Sequence, residues 1–331
     1  MGTSGTSKKE SMNHTFCVTS QQVRELFYQQ LQLWPLVKER YEVLQQVHIK
    51  TLHIDDFNIK VQFNPSRILS AGAKVDRESL LKRKCFLCPE NLPAEQIRLP
   101  FKEDYLILCN PYPIFPEHFT IASQKHIAQE ISTHLNDFLV LAYCLKDFSL
   151  FYNGPKSGAS APDHMHFQVV TRNVMPIDIE IDTLSDKQIR LLINEDQSEL
   201  YQLTNYLRNG FVIKATTAES ALSLFQTVYN AFDSLPEESE PKMNVFGCYK
   251  KDKWIITIIP RRQHRPSQFF AEGDAHILSS PGAADIGGLY ITPREEDFEK
   301  ITPDILRDIY SQVCFSHDEI DRISTRIVKK E

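Results

Sequence analysis

Asn153-Gly154-Pro155-Lys156-Ser157-Gly158-Ala159-Ser160-Ala161-Pro162-Asp163-His164-Met165-His166-Phe167-Gln168 is the stretch on which the reading of this chain turns. Its first half is a glycine- and serine-rich loop, whose backbone N–H groups and hydroxyls can be aimed at phosphate oxygens. Its second half places polar side chains at alternate positions, His164, His166 and Gln168. In a strand these three point to one face, while Met165, Phe167 and Val169 point to the other. Two imidazoles and an amide beside such a loop suit chemistry at phosphorus. A neutral imidazole can attack phosphorus, and an amide can hydrogen-bond the phosphoryl oxygens. A bare His-x-His fits better as a half-buried strand with two surface histidines; the attached loop turns the reading toward a site.

Working outward, glycine is scarce everywhere else. The chain has 331 residues and 11 glycines, well below the usual share of about 7%. Five of them sit in two places, Gly154 with Gly158, and Gly282 with Gly287 and Gly288. Glycine is used where backbone turns tightly or approaches a ligand closely. Lys plus Arg number 37 against 43 acidic residues, a net charge of −6 with no long basic block, which argues against broad binding to nucleic acid. At 42% hydrophobic and 24% charged the chain can bury a core, and its length fits two domains or one large duplicated one. The longest apolar runs, 138–145 and 254–259, are far too short for a membrane span. The leader MGTSGTSKKESMNH lacks the apolar core of a secretory signal. Its Met1-Gly2 with Thr6 formally fits a myristoylation pattern, but a polar leader is the expectation. Seven cysteines with one close pair favour a reduced, cytoplasmic chain over a disulfide framework.

The periodicities predict a mixture of helices and strands. Val23, Leu26, Phe27, Gln30, Leu31 and Trp34 recur at helical spacing within 19–48, with Thr19 or Ser20 as cap and Pro35 as a break. Strands are expected at 49–63, Tyr105–Cys109, His118–Ser123, 148–152 and 165–171, with a helix over 135–147. An acidic stretch near 180–200 reads as a junction. Beyond it come a strand at 206–216, a helix at 218–232 and a loop around 234–241. The strand 254–259 runs into Pro260-Arg261-Arg262-Gln263-His264, much as 119–122 runs into Ser123-Gln124-Lys125-His126. That short match fits an internally duplicated α+β chain. The division expected is 1–59 for an N-terminal extension with the first strands, 60–178 for a catalytic half and 179–331 for a second, degenerate half.

The segment 153–168 resembles the transferase branch of the histidine triad superfamily, in which Gln replaces the third His. Diadenosine tetraphosphate phosphorylases and galactose-1-phosphate uridylyltransferases are the nearest families, with GDP-hexose phosphorylases beside them. The matching residues are Asn153-Gly154, Ser157-Gly158-Ala159-Ser160 and His164-x-His166-x-Gln168. The match extends to Asn110-Pro111-Tyr112-Pro113-Ile114-Phe115-Pro116-Glu117-His118, and more loosely to 254–262 and 280–296, covering roughly 60–300. The resemblance implies a duplicated histidine-triad-like fold of antiparallel sheets with flanking helices. It implies that His166 is the nucleophile of a nucleotidyl-histidine intermediate. Gln168 and Ser160 would hold the phosphoryl oxygens, and Asn153, Gly154, Ser157, Gly158 and Asn110 would belong to the nucleotide site. The step from Ser160 to His164 is one residue longer than is usual in the family, which keeps Ser157 as an alternative to Ser160. Among basic groups, Arg67, Lys74, Lys156 and the Arg261, Arg262 and Arg265 cluster are candidates for a polyphosphate, with Arg67 and Lys156 preferred.

Cys85-Phe86-Leu87-Cys88 has the spacing at which two thiolates grip one tetrahedral zinc, although such a pair can also be redox-active or simply buried. Zinc-bearing relatives add two histidines, one ending the loop before the triad and one the first triad His. That pattern implies Cys85, Cys88, His126 and His164, with His118 as the competing third ligand, and zinc leans toward the uridylyltransferases. The segment 280–289 reads as a plain turn before a strand, or as closure over substrate. The resemblance thus implies phosphorolysis of a dinucleoside polyphosphate or NDP-sugar. Uridylyl transfer between hexose phosphates is the second reading, and a zinc-stabilised nucleotide-binding protein without turnover the third. The partners expected are a nucleotide with phosphate or a sugar phosphate, without nucleic acid or membrane, and a homodimer is compatible.

Overall fold

The computed structural model describes residues 17–68, 72, 77–233 and 240–329. The polar leader, Lys74 and most of the 234–241 loop lie outside the described residues. The 19–48 pattern resolves into two helices, Ser20–Leu33 and Pro35–Leu44. Thr19 caps the first in a reciprocal box with Gln22, and Pro35 opens the second, where its missing N–H costs nothing. A hairpin follows, β1 (His48–Ile54) and β2 (Phe57–Phe63), paired from His48↔Phe63 to Ile54↔Phe57.

The body is one antiparallel sheet of ten strands. Its first five are β3 (Leu99–Phe101), β4 (Tyr105–Cys109), β5 (His118–Ser123), β6 (Phe148–Asn153) and β7 (His166–Thr171). The second five are β8 (Ile189–Glu195), β9 (Ser198–Leu203), β10 (Phe211–Ala215), β11 (Met243–Lys250) and β12 (Lys253–Pro260). Their order is β3-β4-β5-β7-β6-β11-β12-β10-β9-β8. Each half lays down three strands, then a helix, Leu135–Cys144 or Ala218–Asn230, then two more strands. The last strand of each half inserts between its third and fourth. The halves therefore repeat one topology and join where β6 meets β11, with Asn153 opposite Asn244.

This duplication corrects the short repeat read from sequence. β12 occupies the place of β7, whereas β5 corresponds to β10. The two basic loops thus follow non-equivalent strands. The acidic stretch near 180–200 is also not a plain junction. It holds the end of a helix, Pro176–Thr183, and the β8–β9 hairpin. β8 is an exposed edge strand, where charged side chains are tolerated, so its alternation is muted.

Helices cover one face of the sheet. Met165, Phe167 and Val169 lie there in one core with Phe138, Phe225 and Ile323, each large side chain contributing about 1.5–3 kcal/mol on burial. The other face carries the small sheet β1-β2-β13, where β13 (Leu289–Thr292) runs parallel to β2. Phe151, Val170, Phe246, Tyr290 and Tyr310 form the core on that side. The period-2 alternation of β7 therefore sends His166 and Gln168 to the small-sheet side.

Cys17 and Cys144 form a disulfide, with Cα atoms 5.5 Å apart. This overturns the expectation of a chain without bridges. The partners are 127 residues apart, so no local spacing encodes the pair. Cys85, Cys88, Cys109, Cys248 and Cys314 are free thiols. No helix among the described residues is long and apolar enough to cross a membrane.

Glu240 clamps the halves together from inside. Its buried carboxylate accepts the Tyr152 hydroxyl at 2.6 Å and the Ile131 N–H at 2.9 Å. Burial nevertheless outweighs these bonds and pushes the carboxyl up to about 7, from an ordinary 4.5. The native state then binds more protons than the unfolded chain between those values, so stability falls as pH rises through that window. Glu240→Gln is expected to flatten this fall, as measured by denaturant unfolding from about pH 5 to pH 8; an unchanged slope contradicts the assignment.

Candidate functional site

β7 begins at His166, and its backbone is locked by one amide. Gln129 Oε1 accepts the His166 N–H at 2.8 Å, while Gln129 Nε2 donates to the carbonyls of Asn153 and His166 at 3.0 Å each. The end of β6 and the start of β7 are so held in one frame. His166 Nδ1 lies 2.8 Å from the His164 carbonyl, a partner that can only accept. Nδ1 is therefore assigned the proton, and Nε2 carries the lone pair. Burial holds the imidazole down at about 4, so it is neutral near pH 7. A neutral ring with its lone pair on a defined nitrogen is the form of histidine that attacks phosphorus.

Gln168 is oriented in the same way. Its Oε1 is 2.7 Å from His118 Nε2, and the other His118 nitrogen faces the Ile114 N–H at 3.5 Å. His118 is buried and kept neutral, pushed down to about 3 by desolvation. It therefore donates from Nε2 to Oε1, which leaves the Gln168 NH2 as a donor toward the cleft. His118 is thus committed to Gln168, and it is His126, the preferred third ligand, rather than the competing His118 that gathers with the cysteines.

The two glycine clusters meet across the joint between halves. Gly158 has φ +99°, and a Cβ on it would lie 2.4 Å from Gly282 Cα. Asn153 Oδ1 accepts from the Ala283 N–H at 2.7 Å and from Asn244 Nδ2 at 3.1 Å. Buried Arg261 then donates to Asn244 Oδ1 at 2.6 Å and to the Pro281 carbonyl at 3.0 Å. The segment 280–289, read as a turn or a closing element, is therefore one wall of a cleft. Asn153, Gly158, Ser160, Gln168 and Arg67 line that cleft together with Gly282 and Asp285.

The loop serines are separated by burial. Ser160 is exposed and lines the cleft, whereas Ser157 is fully buried with its hydroxyl unpartnered. Gly154 N–H bonds the Met243 carbonyl at 3.1 Å, fixing the loop to β11. Lys156 is exposed away from the cleft lining. Asn110 is turned onto its own loop, accepting from the Tyr112 N–H at 2.9 Å and donating to Thr120 at 3.2 Å. Arg262 pairs with Glu319 on the surface. Gln129 and Asn244 escaped sequence reading because no motif marks them, and strand register or chain crossing alone brings them in; Ser280 and Asp285 fell within the 280–289 segment without an individual role.

Beside β7, Cys85, Cys88, His126 and His164 gather with their ligand atoms all within 4.8 Å of one another. His164 Nδ1 lies 3.4 Å from Cys85 Sγ and 3.6 Å from Cys88 Sγ. His126 Nδ1 is 3.3 Å from both Cys88 Sγ and His164 Nδ1. The ligand–ligand edges of a tetrahedral zinc site with two sulfurs and two nitrogens are about 3.3–3.8 Å, given its bond lengths. His164 Nε2 donates to the Ser123 carbonyl at 2.7 Å, leaving Nδ1 for a metal. Asp163 places Oδ2 3.8 Å from His126 Nε2, while its Oδ1 is held by Arg83 at 2.7 Å. Donor set, tautomer and outer carboxylate all fit a metal site.

Residues 26–171 match a family described as a domain of unknown function, DUF4922, and residues 183–330 match GDPGP1-like C-terminal domains. The galactose-1-phosphate uridylyltransferase of Staphylococcus saprophyticus is 24% identical over 167 residues, which is 48% of this chain and 31% of that protein. The chain thus spans roughly a third of that curated relative's length. Yeast Ap4A phosphorylase overlays with a TM-score of 0.54 at 18% identity, covering 86% of this chain and 97% of that one. The same yeast protein in complex with Ap4A gives 0.50 at 17%, with the same coverage. These structural likenesses establish a shared fold. Together with the His-x-His-x-Gln segment and the family matches, they support the chain's likeness to the transferase branch of the histidine triad superfamily. Its C-terminal half carries the GDPGP1-like match, and the His164-x-His166-x-Gln168 segment lies in the half matching DUF4922.

Gly158→Ala forces a Cβ onto Gly282 in a left-handed backbone region. The substitution is expected to destabilise the fold by about 1–3 kcal/mol in denaturant unfolding. A loss below about 0.5 kcal/mol, the scale of an ordinary surface substitution, refutes the close crossing.

Proposed function

We propose that the protein is a nucleotidyltransferase working by double displacement through His166. The observation that carries this reading is the neutral, singly tethered His166 beside a Gln168 amide whose donor end is set by His118. In the first step Nε2 attacks the α-phosphorus of a nucleotide, and a phosphate chain or sugar phosphate leaves. In the second, an acceptor phosphate takes the nucleotidyl group and the electron pair returns to Nε2. The Gln168 amide and the Ser160 hydroxyl donate to the non-bridging oxygens, where charge concentrates in the transition state. Asn153, Gly154 and Gly158 shape the backbone against which the nucleotide phosphate lies, and Arg67 supplies positive charge. The catalytic groups come from the 60–178 half, and the 179–331 half closes the cleft.

The likeness to the phosphorylase supports phosphorolysis of a dinucleoside polyphosphate or NDP-sugar. The Cys85, Cys88, His126 and His164 cluster favours a second reading, uridylyl transfer between hexose phosphates. Zinc bound there would tie the strand carrying His166 to the Cys85–Cys88 loop, as a structural metal orienting a catalytic group. A binding protein without turnover accounts poorly for the intact arrangement of His166 and Gln168.

Mass spectrometry after mixing with dinucleoside polyphosphates and NDP-sugars is expected to find a nucleotidyl adduct on His166, whose mass names the nucleotide. His166→Ala should abolish the adduct and lower turnover at least a thousandfold, on the order seen when a nucleophile is removed; unchanged turnover ends the proposal. Metal analysis of purified protein should find about one zinc per chain, as a closed four-ligand site requires. Cys85→Ser should lose it, and a metal-free wild type refutes the zinc assignment.

A further inference from the structure

Two buried amides at the end of β2, Gln62 and Asn64, have so far played no part in the site. Their backbone is fixed by β13. The Asn64 N–H donates to the Thr292 carbonyl at 2.9 Å, and Thr292 Oγ1 donates to the Gln62 carbonyl at 3.2 Å. Their side chains reach the loop before β5. Asn64 Nδ2 donates to the Pro113 carbonyl at 3.3 Å and to Gln62 Oε1 at 3.1 Å. Gln62 Nε2 donates to the Ile114 carbonyl at 3.4 Å. A carbonyl oxygen only accepts, so these contacts assign the nitrogen end of each amide. Asn64 Oδ1 in turn accepts from the Ser66 hydroxyl at 2.5 Å.

The Pro113 carbonyl and the Ile114 N–H belong to one planar peptide group. Asn64 grips its oxygen end, and its nitrogen end donates to His118 Nδ1 at 3.5 Å. Phe115 packs edge-on against the His118 ring, 5.5 Å between centroids, and Phe151 lies 6.2 Å away, which together fix the ring plane. His118 Nε2 then donates to Gln168 Oε1 at 2.7 Å, and Gln168 lines the cleft. The relay runs from Ser66 through Asn64, the Pro113–Ile114 peptide and His118 to Gln168, with every donor aimed toward the cleft. Bonds aligned head to tail polarise one another, which strengthens the donor at the far end. Reversing the His118 link would turn the Gln168 oxygen into the cleft, where it repels a phosphoryl oxygen.

We propose that Asn64 is a positioning residue for the reaction at His166. By holding the Pro113–Ile114 peptide it keeps His118 Nδ1 an acceptor, and so keeps the Gln168 NH2 turned into the cleft. The effect on the reaction rests on the double-displacement reading above, whereas the setting of the His118 tautomer does not. The small sheet is thereby part of the machinery of the site: the β2 end supplies Asn64, and β13 from the second half of the chain fixes its backbone.

NMR of the full chain labelled at its histidine ring nitrogens reads which nitrogen of His118 carries the proton, with His118→Gln assigning the signal. Wild type is expected to hold the proton on Nε2 alone. Asn64→Asp keeps the size of the side chain and the Ser66 contact but sets an oxygen against the Pro113 carbonyl. A second His118 tautomer should then appear, and the Ile114 amide should exchange faster with solvent. Formation of the His166 adduct from a dinucleoside polyphosphate should slow by about tenfold, the scale of one hydrogen bond. Ser66→Ala, a milder change at the surface, should move both readouts the same way by less, and it carries the test if Asn64→Asp does not fold. A merely structural defect lowers stability without moving the His118 proton. An unchanged tautomer in the folded variants overturns the proposal, as does a moved tautomer with an unchanged adduct rate. A wild type that forms no His166 adduct removes the catalytic reading and the role of Asn64 in it, while a tautomer that follows Asn64 leaves the relay itself standing.

Discussion

The β6–β11 joint, where Asn153 faces Asn244, is the contact on which the site depends. One oxygen, Asn153 Oδ1, accepts from both the Asn244 amide and the Ala283 N–H. That shared acceptor ties the 153–160 loop of the first half to the glycine segment of the second. Arg261 extends the tie by bonding both Asn244 and the Pro281 carbonyl. Buried polar networks of this kind are costly when half satisfied, so each partner constrains the next. The close approach of Gly158 to Gly282 follows from the same geometry, since no side chain fits between the two backbones.

Burial sorts the groups around the cleft into neutral and charged. His118, His166 and His264 are all held neutral by desolvation, so each ring has a donor nitrogen and an acceptor nitrogen rather than two donors. The positive charge sits on arginines instead, which cannot give up their proton. Arg261 makes its hydrogen bonds to carbonyls and an amide, donating to Val313, Asn244, Pro281, Gln263 and His264. None of those bonds goes to a carboxylate, so its charge is not neutralised by them. Positive charge is thus concentrated locally in a chain whose net charge is −6, a focused patch rather than an overall sign.

The cysteine–histidine cluster connects to this arrangement through a single strand. His164 faces the cysteines, and its carbonyl sets the tautomer of His166, two residues on at the start of β7. Whatever fixes His164 thus also fixes the proton of the proposed nucleophile. The carboxylate of Asp163, held by Arg83 beside His126, adds an outer layer to the same support.

Alternation along 166–169 by itself determined that His166 and Gln168 share a face opposite Phe167 and Val169, because a strand has period 2 whatever it pairs with; His164, expected on that same face, precedes the strand and turns to the cysteines instead. The 153–160 loop stood out by composition as a cleft-lining segment, and the gathering of Cys85, Cys88, His126 and His164 was legible through spacing and resemblance. The helices at 19–48 and 135–147 were likewise visible, since capping and a 3.6-residue period are local. Only the tertiary structure decided that His118 orients Gln168 instead of binding metal, that Ser160 and not Ser157 reaches the cleft, and that β12 matches β7. It alone joined Cys17 to Cys144 and brought Gly158 against Gly282, Asn153 against Asn244, and Arg265 into the cleft with Gln168. Each of these joins parts of the chain that lie far apart in sequence or depends on which side of a loop is buried. Local pattern encodes period and propensity, whereas proximity between distant segments is set by the order in which strands insert into the sheet.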